Sequence, residues 1–96
     1  MFYAISCIDK PEHAAVRQQN RPAHLDYLRA HADAVRLAGP YTNADGDAMT
    51  GSLIVVEAAD LAAAQAFADN DPYARAGLFA SVEIRPWRWV IGNPGA

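Results

Sequence analysis

His24 is the side chain best suited to chemistry in this chain, because an imidazole exchanges a proton near neutral pH and this one follows Arg21-Pro22-Ala23. A proline pre-sets φ for a helical first turn and restricts the residue before it, so Asn20-Arg21-Pro22 predicts a break or kink, with a fresh first turn at Pro22. His24 then lies near a positive helix end and beside a cation. Both influences disfavour the imidazolium and leave a neutral ring able to act as a base. A partly exposed histidine packed beside Tyr27 is the plain structural alternative. Asp71 is the carboxylate suited to hold such a ring in one tautomer and to stabilise its protonated form. Asp71-Pro72 is also a ready capping pair for a short helix, and the two roles are compatible. Asp26 is closer in sequence, but at i+2 on a helix it points away from His24.

The remaining reactive types carry less. His31, one helical repeat on, reads as a solvated residue near a helix C-terminus, where a cation is welcome, and His13 in a polar first turn is assigned no role. The three histidines stand 11 and 7 positions apart, without the i, i+4 pairing that sets two imidazoles on one ion. A single cysteine, Cys7, excludes an internal disulfide and a multi-cysteine zinc site. No metal and no other cofactor is therefore expected, and Cys7, mid-strand, reads as an inert core thiol. Ser52 has no nucleophile-elbow context. Gly39-Pro40 and Gly51-Ser52 mark bulges or close backbone approaches. No phosphate loop or dinucleotide fingerprint is present.

The elements that must position these groups follow from periodicity. Residues 2–8 are rich in aromatic and β-branched types and read as a strand with faces Phe2/Ala4/Ser6/Ile8 and Tyr3/Ile5/Cys7. A helical stretch is expected from Pro11 through Arg17. After the break at Pro22, Leu25, Leu28 and Ala32 form one face of the main first helix, which ends near Asp33, with His24, Tyr27 and His31 on the neighbouring face. Residues 35–41 form a short edge or bulged strand, Asp45-Gly46 reverses the chain, and residues 50–58 are the clearest strand. Asp60 caps a helix carrying Leu61, Ala64, Phe67 and Ala68. Residues 73–77 add one turn stopped by Gly77, and residues 80–91 form a last strand interrupted at Pro86. Residues 92–96 read as a flexible tail.

The order β-α-β-β-α-β is the ferredoxin-like split βαβ arrangement, an α+β fold with both helices on one face of an antiparallel sheet. At 96 residues and 52% hydrophobic, the chain has room for one core and apolar residues to spare. The strands are apolar on both faces, so a second copy is expected to cover the helix-free side and give a homodimer. Eight basic residues are scattered and outnumbered by eleven acids, which excludes a footprint for nucleic acid or anionic lipid. Neither a signal peptide nor a membrane-spanning run is visible, so a cytoplasmic address is expected by default.

The words Arg21-Pro22-Ala23-His24-Leu25, Ala38-Gly39-Pro40, Gly51-Ser52, Asp69-Asn70-Asp71-Pro72-Tyr73, Ala76-Gly77 and Arg85-Pro86-Trp87 occur in this order across nearly the whole chain. Together they resemble the YciI-like (YCII-related) family of small bacterial proteins. The resemblance implies a dimeric α+β barrel with a pocket between helices and sheet, centred on a histidine–aspartate pair. By matching words the pair is His24 and Asp71, with Arg21, Gly39, Pro40, Ser52 and Tyr73 as pocket lining. The turn before the second strand lacks the glycine usual in the family, and both it and the hairpin loop are shorter. The resemblance further implies lyase-like or dehydrohalogenase-like chemistry on a small cyclic or aromatic compound, without a cofactor. On this reading His24 abstracts a proton while Arg21 and backbone amides near Gly51-Ser52 steady negative charge. Two other classes use the same pocket: a small-molecule-binding or regulatory dimer without turnover, and a cofactor-free monooxygenase of the dimeric α+β barrel type.

Overall fold

The aromatic and β-branched run that opens the chain forms strand β1, Phe2–Asp9, in a computed structural model that describes residues 1–95. Its alternation divides the molecule. Tyr3, Ile5 and Cys7 are 3%, 1% and 2% exposed and pack with Ile54 and Val56 beneath the helices, joined by Ala64 and Ala68. Strands β2 (Val35–Thr42), β3 (Met49–Glu57) and β4 (Phe79–Trp87) complete a four-stranded sheet of order β2-β3-β1-β4. Every neighbouring pair is antiparallel. Helices α1 (Ala14–Ala30), α2 (Leu61–Asp69) and the short α3 (Pro72–Arg75) supply the crossovers. The fold is α+β and ferredoxin-like, as the element order predicts.

Caps and turns form where local chemistry places them. Asp60 accepts the Ala63 amide at 2.8 Å and starts α2, and Asp71 accepts the Tyr73 amide at 2.9 Å and starts α3. Gly77, at φ 75°, ends the turn that follows α3. The β2–β3 hairpin reverses through Gly46 at φ 78°, while Asn43 Oδ1 accepts the amides of Asp47 and Ala48.

The bounds of the first helix and the last strand differ from those expected. Helix α1 is continuous through Pro22, where the sequence predicts a break or kink, so no helix boundary falls there. Proline lacks the N–H that the carbonyl four residues earlier would accept, but buried Arg17 and His24 anchor the helix on both sides of it. Pro11 and Glu12 lie in a turn before the helix, Glu12 in the left-handed region at φ 61°, and α1 ends at Ala30, short of Asp33. Strand β4 ends at Trp87 and includes Pro86, which is tolerated because β4 is an edge strand with one side unpaired. Trp89, Val90 and Ile91 follow it outside the sheet, with Trp89 packed edge-on to Phe2. In the segment expected to be a flexible tail, residues 92–95 form bends and a turn, and Ala96 lies outside the described residues.

Candidate active site

Because α1 is continuous, Arg17, Arg21, His24 and Leu28 fall at i, i+4, i+7 and i+11 and form one stripe facing the sheet. Between that stripe, β2, β3 and Tyr73 of α3 lies a cavity of about 220 Å³. Leu25, Leu28, Met49 and Ile54 give it apolar walls, and Arg17, Arg21, His24, Ser52 and Tyr73 give it polar ones. Its size is below the ~300–1,000 Å³ of sites for drug-sized ligands, and it suits a single substituted ring.

His24 is 7% exposed, and its Nδ1 donates to Asp71 Oδ1 at 2.8 Å. The same oxygen accepts the Tyr73 amide, so Asp71, itself 2% exposed, holds the ring and caps α3 at once. The proton is assigned to Nδ1 because its partner is a carboxylate. That leaves Nε2 with a free lone pair. Among the described residues no buried side-chain nitrogen or oxygen lacks a partner, so Nε2, which has no protein partner, meets the cavity. The Tyr73 ring stacks on the imidazole, with centroids 4.0 Å apart and planes 16° from parallel.

The rest of the polar wall is built on Arg17, which is 6% exposed. Its Nε and Nη2 donate to the two Asp9 oxygens at 2.7 and 2.9 Å, and Nη2 also donates to Ser52 Oγ at 3.0 Å. The guanidinium lies over the Tyr73 ring, 4.6 Å from its centroid. Burial alone lowers the pKa of Arg17, but the Asp9 carboxylate outweighs it and holds the guanidinium above its ordinary value. Burial raises the Tyr73 hydroxyl, against the pull of the same guanidinium.

The site residues named from sequence are thus brought together around one cavity: His24, Arg21, Gly39, Pro40, Ser52 and Tyr73 line it, and Asp71 stands behind His24. His24 lies ten residues into α1, about 15 Å from the positive end, so the helix terminus does not act on it. Gly51 and Ser52 sit in register with both β1 and β2, so their amides belong to the sheet rather than to the cavity. Tyr27 packs against His31 and Phe67, not His24, and His31 is half-buried in that cluster rather than solvated. Asp9 and Arg17 were not among the sequence candidates. Arg17 is legible as i−7 from His24 once the helix is drawn through Pro22.

A four-stranded ferredoxin-like sheet, with a hydrogen-bonded histidine–aspartate pair and an anchored arginine between helix and sheet, defines a small α+β protein with a polar cavity under its first helix. The YCII-related domain family matches residues 1–88, and the chain belongs to that family. It is similar to Protein YciI of Escherichia coli, with 39% identity covering 95% of this chain and all of that protein. Among solved structures it is similar to 5-chloro-2-hydroxyhydroquinone dehydrochlorinase from Burkholderia phenoliruptrix, in complex with 2,5-dihydroxybenzoquinone. That likeness has 35% identity and a TM-score of 0.86, and covers 92% of this chain and 94% of the other. A dimeric ferredoxin-like protein of unknown function from Jannaschia shares the fold at 22% identity and a TM-score of 0.50, covering 90% of this chain and 98% of that one.

Proposed function

We propose that this protein is a cofactor-independent enzyme that removes a proton from a small hydroxylated ring and expels a leaving group from it. The observation that carries this reading is the His24–Asp71 pair: a buried carboxylate fixes Nδ1–H, and Nε2 opens into a cavity sized for one ring. Nε2 takes a hydroxyl proton and Asp71 stabilises the imidazolium that results; the imidazolium returns that proton to the ring carbon bearing the leaving group, and loss of a second hydroxyl proton to Nε2 then expels the leaving group with the electrons of its bond and leaves a quinone. Arg21 lines the same cavity, and none of the ion pairs among the described residues involves it, so its charge is available to draw in an anionic ring. The similarity to a dehydrochlorinase supports a chlorinated hydroxyhydroquinone as the first substrate to try.

The test is chloride release from 5-chloro-2-hydroxyhydroquinone. The wild-type protein should release chloride, and His24→Ala should lower the rate about 10²–10⁴-fold while keeping the native circular dichroism spectrum. Equal rates in the two proteins sink the assignment of His24. Saturable binding with the compound returned unchanged would make the protein a binding module instead. We also propose that two copies pair through the helix-free face of the sheet, where Ile8 and Leu37 remain 47% and 40% exposed beside Phe2 and Leu53.

A further inference from the structure

We propose that Arg17 is a second catalytic residue, whose Nη1 binds one ring oxygen of the substrate in its ionised, phenolate form. The proposal rests on the acid–base reading of the site and names the kind of oxygen the site is built to hold.

A guanidinium has five N–H groups. In Arg17 the Nε–H and both Nη2 hydrogens are committed, to the two oxygens of Asp9 and to Ser52 Oγ. Two donors remain, both on Nη1. Since no buried side-chain nitrogen among the described residues is without a partner, Nη1 is not sealed in the interior, and it shares the cavity wall with the Tyr73 hydroxyl, which interacts with the same guanidinium. Their number and placement select the ligand. A carboxylate is best held by a fork of two nitrogens, and in Arg17 that fork is already occupied by Asp9. Two hydrogens on a single nitrogen fit a single oxygen, and the apolar walls of Leu25, Leu28 and Ile54 fit the flat ring that carries it.

Position and rigidity suit the same role. The imidazole of His24 lies 4.0 Å, and the Arg17 guanidinium 4.6 Å, from the centroid of the same Tyr73 ring. The two groups are therefore no farther apart than those distances combined, and both line the one cavity. When His24 Nε2 takes a hydroxyl proton, the negative charge left on that oxygen spreads through the ring to the other ring oxygens, and a donor held in place beforehand stabilises it without reorganisation. Arg17 is held on Asp9, on Ser52 and on Tyr73 before any ligand arrives. Arg21, on the exposed side of the helix stripe, has no such anchorage and serves to attract rather than to orient.

The experiment uses 4-nitrophenol, which absorbs visible light only as the phenolate, titrated with pH in the presence of excess protein. Binding to the wild-type protein should lower the apparent pKa of the probe by at least about one unit, equivalent to a tenfold preference for the ionised form. Arg17→Gln should remove that shift. Because this change strands the buried Asp9 carboxylate and threatens the fold, Arg17→Lys, which keeps a cation beside Asp9 but has no Nη1, is the second variant and should also remove it. An unshifted probe with the wild-type protein, or a full shift retained in Arg17→Lys, overturns the proposal. Loss of the shift in Arg21→Gln with retention in Arg17→Lys also overturns it. His24→Ala separates this proposal from the reading beneath it: the probe's shift should persist there while turnover is lost. A persistent shift with unchanged turnover would sink the base assignment and leave Arg17 standing.

Discussion

Asp71 does two things with one oxygen, and the two can be separated by mutation. Asp71→Asn keeps an oxygen that can accept the Tyr73 amide and the His24 Nδ1–H, but it removes the charge that stabilises a protonated imidazole. Asp71→Ala removes the cap, worth about 0.5–2 kcal/mol, and leaves a buried histidine donor without a partner at a further ~1–3 kcal/mol. Urea denaturation should therefore show Asp71→Ala clearly less stable than Asp71→Asn, with turnover depressed in both. Equal stability of the two would mean that the hydrogen bonds contribute little. Cys7 offers a pH test. Burial, with help from the nearby Asp71 and Asp9 carboxylates, raises its thiol from 9.0 to about 12. The unfolded chain then loses this proton first, so the contribution to stability is complete below pH 9 and is lost as pH rises from there towards 12. Tyr27 and Tyr73 are raised by burial in the same direction. Unfolding followed from pH 8 upward should show falling stability at the alkaline end, and Cys7→Ala should flatten part of that fall. A wild-type curve that does not bend there contradicts the assignment.

At the scale of elements, the pairing of β1 with β3 leaves no room for a side chain at Gly51. A Cβ built on Gly51 would stand 2.2 Å from the Cys7 carbonyl oxygen, a contact no side-chain adjustment relieves. Gly51→Ala must push the two central strands apart beside Ser52 and Asp9, where the Arg17 anchors sit. It should destabilise the protein by about 1–3 kcal/mol or more in urea denaturation, and weaken ligand binding beyond that. A neutral Gly51→Ala would show the strands to be more yielding than their pairing suggests. In helix α1 local rules and packing disagree. Local rules place a boundary at Pro22, and that boundary put Arg17 and His24 on different helices. Packing overrides the local rule, because anchoring Arg17 and His24 in the core outweighs one missing backbone hydrogen bond.

The whole molecule leaves one face of its sheet without helices. Phe2, Ala4, Ile8, Leu37, Leu53 and Val55 share that face by strand register, and towards β4 it turns polar through Glu83 and Arg85. Ile8 at 47% and Leu37 at 40% exposure are large apolar side chains with nothing over them in one copy. Sedimentation of the wild-type protein at micromolar concentration should give twice the chain mass, and Leu37→Glu should give the monomer with its cavity intact. A wild-type mass equal to one chain would refute the pairing. No helix among the described residues is long and apolar enough to cross a membrane.

What the sequence by itself determined is whatever rests on short-range chemistry. The alternation of β1, the carboxylates that cap α2 and α3, the glycine turns and the order of elements all follow from residues a few positions apart. His24 and Asp71 stood out in the same way, as an imidazole and a carboxylate each beside a proline within matching family words. Only the tertiary structure decided that Asp71 Oδ1 reaches His24 Nδ1 across 47 positions. It likewise decided that Arg17 is bound to Asp9 and Ser52 and leaves one nitrogen for the cavity. A buried ion pair has no local signature: its two charges read as ordinary surface residues until the fold removes the water around them, and what they can do is then set by the few partners left within hydrogen-bond reach.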